Sequence, residues 1–198
     1  MFVRFLTAIV AALFAAQSPA AAQSATTQSV THVTVSTSKG DFVIALDAKR
    51  APATVANFLR YVRAGHYDGT VFHRVIPQFM IQGGGFSAEG FREKPTGKPI
   101  RNEADKTGPN KVGTVAMART SDPHSATAQF FINTNDNTHL DHSAKSARGW
   151  GYTVFGRVVS GMEVVRAIEA VRTRNAGAYQ NVPAEPVVIK SIRVGGSK

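Results

Sequence analysis

Cysteine is absent from the 198-residue chain, which removes disulfides, thiol nucleophiles and thiolate metal ligands from its chemistry. Acidic residues are scarce: 13 Asp and Glu stand against 23 Lys and Arg, a formal charge of +10 that becomes +9 without Arg4. The cations are nevertheless dispersed. Their densest stretch, Arg92 to Arg119, mixes seven of them with Glu93, Glu103 and Asp105. No basic stripe interleaved with aromatics is present, so a nucleic-acid partner is not expected. The excess reads as a solvated surface, with weak attraction to anionic membrane surfaces or acidic clients as the lesser reading.

A hydrophobic run long enough for a membrane is also missing. Leu6 to Ala16 is apolar and Ala-rich, but it is about half of the roughly 20 residues a span requires. It follows Arg4 and is broken by Gln17-Ser18-Pro19, and Ala20-Ala21-Ala22 then offers small residues at cleavage positions. Residues 1–22 therefore read as a signal peptide cut near Ala22–Gln23, with no stable membrane insertion afterwards. Residues 23–30 read as a flexible segment and residues 31–194 as one domain of sufficient length to bury a core. Export without cysteine leaves packing alone to stabilise the fold, which suits a bacterial periplasm.

Metal and phosphate chemistry find no support. His124, Asp136, His139, Asp141 and His142 lie close in sequence, but their spacing fits no helical or knuckle ligand pattern, and no metal or cofactor is expected. Gly83-Gly84-Gly85 is not followed by Lys-Ser/Thr or a helix, so it is not a phosphate loop; close backbone approach or a bend explains it better.

Hydrophobic spacing supplies the elements. Val33 and Val35, then Phe42, Ile44 and Leu46, alternate with polar residues around Ser38-Lys39-Gly40-Asp41, which is hairpin chemistry. Pro52 to Arg63 carries Val55, Phe58, Leu59 and Val62 at helical spacing, with Thr54 able to cap it and Gly65 to stop it. Val71–Ile76 and Phe79–Gln82 read as strands separated by Pro77. Gly84 to Gly108 reads as a long surface excursion. Val112–Ala118, Ala128–Asn133, Tyr152–Val159 and Val187–Val194 are further strands, and Met162–Val171 a second helix. Strands predominate in an order unlike repeated βαβ units, so the class is mainly β. Composition does not choose between a closed barrel and a sandwich.

The richest stretch is Val71-Phe72-His73-Arg74-Val75-Ile76-Pro77-Gln78-Phe79-Met80-Ile81-Gln82-Gly83-Gly84. A guanidinium among apolar β-formers cannot shed its charge, so it is either paired or held ready for a ligand. Alternation sets Met80 with Gln82 on one strand face, and Gln129 with Phe131 on one face of Ala128-Gln129-Phe130-Phe131-Ile132-Asn133. Phe130 and Ile132 then point to the core. An amide beside a large apolar residue on each strand suits a peptide groove. Alternation sends His73 to the face opposite Arg74.

These segments, together with Gly113 to Phe131 and Tyr152 to Val159, resemble the cyclophilin family of peptidyl-prolyl cis/trans isomerases, over roughly Thr31 to Val194. The resemblance implies a closed eight-stranded antiparallel β-barrel capped by two α-helices. It implies catalysis of rotation about X-Pro bonds in unfolded or flexible polypeptides, by a monomer. Arg74 takes the catalytic position. Met80 and Phe131 line a proline pocket that Phe79 and Leu140 complete, and Gln82 and Gln129 read the substrate backbone. Met117-Ala118-Arg119 matches the segment running beside the substrate, although many relatives carry Asn at the place of Arg119. His73 takes a supporting role. Tyr152 stands where many eukaryotic members carry His, and its phenol can donate to a substrate carbonyl. His139 replaces a Trp common in eukaryotic members, which implies weak binding of cyclosporin. These changes, with the longer Asp141 to Gly151 connection, resemble the bacterial periplasmic branch. The competing interpretation is a binding module that holds proline segments on the same fold without turnover. A lipocalin-type barrel would leave the FHR…QGG and AQFF segments unexplained.

Overall fold

A computed structural model describes residues 30–195; the leader and, apart from Val30, the linker read from the sequence lie outside that range. The chain opens with a hairpin, β1 (His32–Thr37) and β2 (Gly40–Leu46), joined by Ser38-Lys39. Gly40 takes φ +122° there, a conformation open to glycine at little steric cost. Helix α1 (Pro52–Arg63) leads to β3 (Thr70–Ile76) and β4 (Met80–Ser87). Strands β5 (Thr114–Met117), β6 (Phe130–Asn133) and β7 (Val154–Ser160) follow, then α2 (Met162–Glu169). A small hairpin, β8 (Thr173–Ala176) and β9 (Tyr179–Pro183), precedes β10 (Val187–Val194).

Eight strands close into an antiparallel barrel in the order β1-β10-β3-β4-β6-β5-β7-β2, while β8 and β9 form a separate two-stranded sheet. Closure leaves the barrel no free edge. Its interior is packed by Val33, Val35, Phe42 and Ile44 from the hairpin with Phe72, Ile81, Phe130, Ile132 and Phe155 from the facing strands. Each helix covers one end. Helix α1 follows the Leu46 end of β2 and drives Phe58 among Tyr67, Phe130 and Phe155, with ring centroids 5.2, 5.8 and 5.1 Å away. Helix α2 lies by the other end, where a Cβ on Gly40 would come within 3.0 Å of Val164. Burial of Val165 and Ile168 anchors it.

Several sequence expectations need correction. Thr54 does not cap α1: the N-cap is Ala51, without a side-chain bond. The carboxylate of Glu103 takes that place from 49 residues away, accepting from Thr54 N at 2.9 Å, Thr54 Oγ1 at 2.8 Å and Ala53 N at 3.3 Å. An anion at the positive end of a helix is favourable, and the loop carrying it is thereby pinned to the barrel. Strand β4 does not stop at Gln82 but runs through the glycines to Ser87. Glycine's poor β-propensity hides such a strand. Packing explains it, because a Cβ would meet Phe72 at 2.9 Å from Gly83, Tyr67 at 2.8 Å from Gly84 and Gln129 at 2.6 Å from Gly85. The surface excursion thus begins after Ser87. The β8–β9 hairpin was not anticipated: its polar, exposed sequence lacks a buried alternating face, and Tyr179 alone reaches an aromatic pair, Phe86 and Phe91.

Candidate active site

The outer wall of the barrel carries a second, smaller apolar cluster. Met80, Ala116 and Phe131 form its buried part, with Ile76, Phe79, Ala118, Leu140, Tyr152 and Val154 packed around it. Their neighbours Ile81, Val115, Phe130 and Ile132 belong to the interior. Strand alternation in β4 and β6 divides the residues as the sequence suggests.

Above this cluster lies a pocket of about 100 Å³ lined by Arg74, Phe79, Met80, Gln82, Ala118, Arg119, Phe131, Leu140 and Tyr152. Of the residues singled out for substrate contact, Gln129 and His139 stand just behind it. Gln82 Nε2 donates to Gln129 Oε1 at 3.0 Å, and the His139 ring stacks on Phe79 with centroids 5.7 Å apart.

Arg74 is exposed at the rim. Among the described residues its one side-chain hydrogen bond is a long one, Nη1 to Gln82 Oε1 at 3.5 Å, and none of their ion pairs includes it. The fork is therefore hydrated and held on one side only, with most of its five N–H donors left over. Its direction is set by an irregularity in the β3–β4 ladder, where Phe72 pairs with Gly83 and Arg74 with Gln82, leaving His73 as the additional residue. This bulge turns Phe72 and Val75 into the core and Arg74 outward. Simple alternation, which would place Phe72 on the same face as Arg74, fails here.

The bulge also changes the setting of His73. Its ring is buried against Phe86 at 4.7 Å, and Nδ1 has no hydrogen-bond partner. Burial drives its pKa down to about 4, only partly opposed by the Val71 backbone and the Gln129 side chain. The imidazole is neutral at physiological pH and serves as packing behind Gln129 rather than as an acid or base.

The far wall is built by a chain of buried amides that sequence inspection missed. Asn137 Nδ2 donates to Phe79 O at 2.8 Å and to Asn133 Oδ1 at 2.7 Å, and Asn133 Nδ2 to Asn110 Oδ1 at 3.2 Å. Asn110 donates its backbone N–H to Asp141 Oδ1 at 2.7 Å and Nδ2 to Leu140 O at 3.2 Å. The single turn Thr138–Leu140 is thus fixed, and with it Leu140 and His139. Asn133 carried a local signal, an amide closing the apolar run Phe130-Phe131-Ile132, since a buried amide persists only when paired; Asn110 and Asn137 stand among polar turn residues and gave none. On the β3–β4 turn, Gln78 adopts φ +57° and donates its N–H to Glu169 Oε1 at 2.7 Å, which holds Phe79 at the pocket mouth.

Arg119 and Tyr152 close the remaining side. The guanidinium carbon sits 4.5 Å above the Tyr152 ring, and Nε donates to Gly151 O at 3.0 Å and Nη1 to Thr120 O at 2.8 Å. Tyr152 in turn meets Phe131 edge-on at 5.6 Å. The Arg119 side chain is a wall, tied both to its neighbour Thr120 and to the end of the Asp141–Gly151 connection. The polar residues once weighed as metal ligands are otherwise engaged: Asp136 and Asp141 accept backbone N–H groups of Val112 and Asn110, and His124 Nδ1 accepts that of Asn102. Among the described residues no metal-binding group forms.

The site is thus an apolar notch on the wall of a closed β-barrel, with a guanidinium at its rim that enters no ion pair among the described residues. Residues 32–194 match the family described as cyclophilin type peptidyl-prolyl cis-trans isomerase/CLD, and the chain belongs to it. Three curated relatives are named peptidyl-prolyl cis-trans isomerases. That of Streptomyces antibioticus is 57% identical over 83% of this chain and 98% of its own. Isomerase A of Dickeya dadantii is 53% identical over 96% of this chain and 97% of its own. Isomerase B of Escherichia coli is 54% identical over 82% of this chain and 98% of its own. A crystal structure of the cyclophilin type isomerase of Cryptosporidium parvum, in the presence of the dipeptide Ala-Pro, superposes with a TM-score of 0.69 at 25% identity, covering 84% of this chain and 99% of that one. The activity is peptidyl-prolyl cis/trans isomerisation, and the alternative of a binding module without turnover is set aside.

Proposed function

We propose that the pocket beside Arg74 grips the proline ring of an X-Pro bond, and that Arg74 is the residue that lowers the rotational barrier. The amide C–N bond resists rotation by roughly 18–20 kcal/mol through resonance. No bond breaks, so neither nucleophile nor metal is required. As the amide twists, its nitrogen becomes pyramidal and gains a lone pair that a guanidinium can hydrogen-bond, an interaction strengthened only in the twisted state. Met80 and Phe131 form the pocket floor, Phe79 and Leu140 its sides. Gln82 and Gln129, tied to each other, anchor the flanking backbone, with Ala118 and Tyr152 opposite. The observation that carries this reading is the position of Arg74: exposed, without a carboxylate partner among the described residues, and directly on the apolar notch. The Ala-Pro dipeptide named with the Cryptosporidium relative supports a proline-sized ligand.

The clients are unfolded or flexible polypeptides, and the setting is a bacterial periplasm reached by cleavage near Ala22–Gln23. The pattern of residues 1–22, a single cation, an apolar run and small residues at the cleavage positions, supports this. The chain acts as a monomer, and His139 in place of an indole leaves cyclosporin weakly bound. Titrating Ala-Pro into isotope-labelled protein tests the site: shifts should centre on Arg74, Gln82, Phe131 and Leu140, and shifts confined elsewhere would sink it. Mass spectrometry of protein from a fractionated bacterial host, showing the uncut chain in the cytoplasm, would overturn the localisation.

A further inference from the structure

A second, wider concavity lies elsewhere on the barrel. A groove of about 970 Å³ runs along the ends of β2, β5 and β7 and the loop before β5. Its charged lining is one-sided: Lys49, Arg50, Lys111 and Arg157 against Asp47. Arg50 is 3.8 Å from Asp47, whereas Lys49, Lys111 and Arg157 enter none of the ion pairs among the described residues. Asp136, close by, is occupied by the Val112 N–H at 2.9 Å. Between the cations the lining is apolar, through Ala45, Val112 and Val154, and Val112 is 45% exposed.

Val154 links this groove to the site. It packs against the Met80–Ala116–Phe131 cluster under the proline pocket and also lines the groove. The two linings have no residue in common, but β5 and β7 connect them, pairing Ala116 with Val154 under the pocket and Thr114 with Arg157 in the groove. A polypeptide whose proline sits on Met80 and Phe131 and which extends along this face reaches the groove.

We propose that this groove is a second docking site for the client, taking a stretch of polypeptide in which acidic and apolar residues mix, on the same chain as the isomerised X-Pro bond. This rests on the reading of the pocket beside Arg74 as the proline site. Apolar residues of the client cover Val112 and Val154, and its carboxylates meet Lys111 and Arg157. A concave strip with cations along an apolar lining fits a single strand better than a flat bilayer surface. Retention of a client by two weak contacts raises its effective concentration at the catalytic pocket.

The test uses the full chain and a fluorescein-labelled, proline-free peptide of mixed Glu, Leu and Ser, followed by anisotropy. Binding is expected to weaken about tenfold in Lys111→Gln/Arg157→Gln and further in the double Glu variant, to fade with salt, and to survive excess Ala-Pro. Turnover of a short X-Pro tetrapeptide should stay within twofold of wild type in these variants. A longer substrate joining the acidic stretch to X-Pro should show a raised KM at constant kcat. Unchanged peptide affinity in the variants overturns the proposal. So does displacement by Ala-Pro, which would assign the peptide to the proline pocket. Vesicles of phosphatidylglycerol that bind where the peptide does not would give the groove to a membrane. Sedimentation showing a dimer abolished by the same substitutions would give it to a second copy. Failure of wild-type tetrapeptide turnover would count against the proline-site reading alone, because the peptide contains no proline.

Discussion

Replacing Arg74 by Ala separates catalysis from folding more cleanly than any other change in this chain. The side chain is exposed, enters no ion pair among the described residues, and holds one 3.5 Å contact to Gln82. Surface substitutions away from caps, cores and networks stay within about 0.5 kcal/mol. For a domain of this size that is about 1–2 °C in Tm. On the role proposed, the donor it removes acts on a charge that develops only as the amide twists, and losing such a donor costs about 3–4 kcal/mol, or 10²–10³ in rate. Arg74→Lys should fall between, since the charge remains but the planar fork that can serve Gln82 and the prolyl nitrogen together is gone. NMR exchange spectroscopy on an X-Pro peptide reads both rotation rates directly, and the cis/trans ratio must stay the same in every sample. Turnover by Arg74→Ala within threefold of wild type would refute the role assigned here. So would a loss of activity matched by a fall in Tm of many degrees, which would make Arg74 structural.

Other perturbations probe the supports of the site. Gly85→Ala places a Cβ 2.6 Å from Gln129; displacement of that amide should free Gln82 and reduce kcat/KM by about tenfold, and unchanged kinetics in a variant that folds would show the amide pair to be dispensable. Leu140→Ala trims a half-buried wall, so KM for proline peptides should rise several-fold while stability falls by about 1 kcal/mol, and a kcat effect alone would contradict a binding role. Glu103→Gln removes the anion at the start of α1 while keeping its shape, and urea unfolding should register about 1–2 kcal/mol, with no loss meaning that the cap is idle. His73 titrates near 4 in the fold against an ordinary 6.5; the unfolded chain binds the proton first, so stability is full above about 6.5 and declines as pH falls toward 4. The loss across that window is on the order of 3 kcal/mol. His73→Gln should flatten this slope in urea melts at pH 4.5 and 7.5, and parallel slopes would disprove it.

Where the sequence was legible, one physical rule governed a local stretch. Pro52 to Arg63 was readable because its apolar residues face one core and Pro52 and Gly65 punctuate it. Met80, Gln82, Phe130, Phe131 and Ile132 fell on the expected faces because β4 and β6 pair regularly from Met80 to Gly83. What stayed hidden depends on partners far along the chain. Glu103 capping α1 links residues 49 apart, and no local pattern announces it. The extension of β4 through three glycines follows from Phe72, Tyr67 and Gln129 occupying the space of their absent side chains. The bulge at His73 could not be read from a period of two, since a bulge is the breaking of that period. The β8–β9 hairpin has little buried surface to leave a trace.

The barrel's own packing explains why the chemistry sits on its wall. Phe58, Tyr67, Phe72, Phe130 and Phe155 fill the interior from one side, and the hairpin's Val33, Val35, Phe42 and Ile44 from the other. An interior so filled admits no ligand, and small barrels are filled by side chains as a rule. Only outward positions are spared from core duty, yet outward residues are ordinarily loose. Here they are held from below: Met80 and Phe131 stand on Ala116, the two glutamines bond each other over Gly85, where a Cβ would come 2.6 Å from Gln129, and the asparagine chain clamps Leu140. An X-Pro bond in a long polypeptide can reach such a surface sideways, without threading a terminus into a cavity. On the role proposed for Arg74, this floor orients the proline ring while the guanidinium, exposed at the rim, meets the twisting amide from the side.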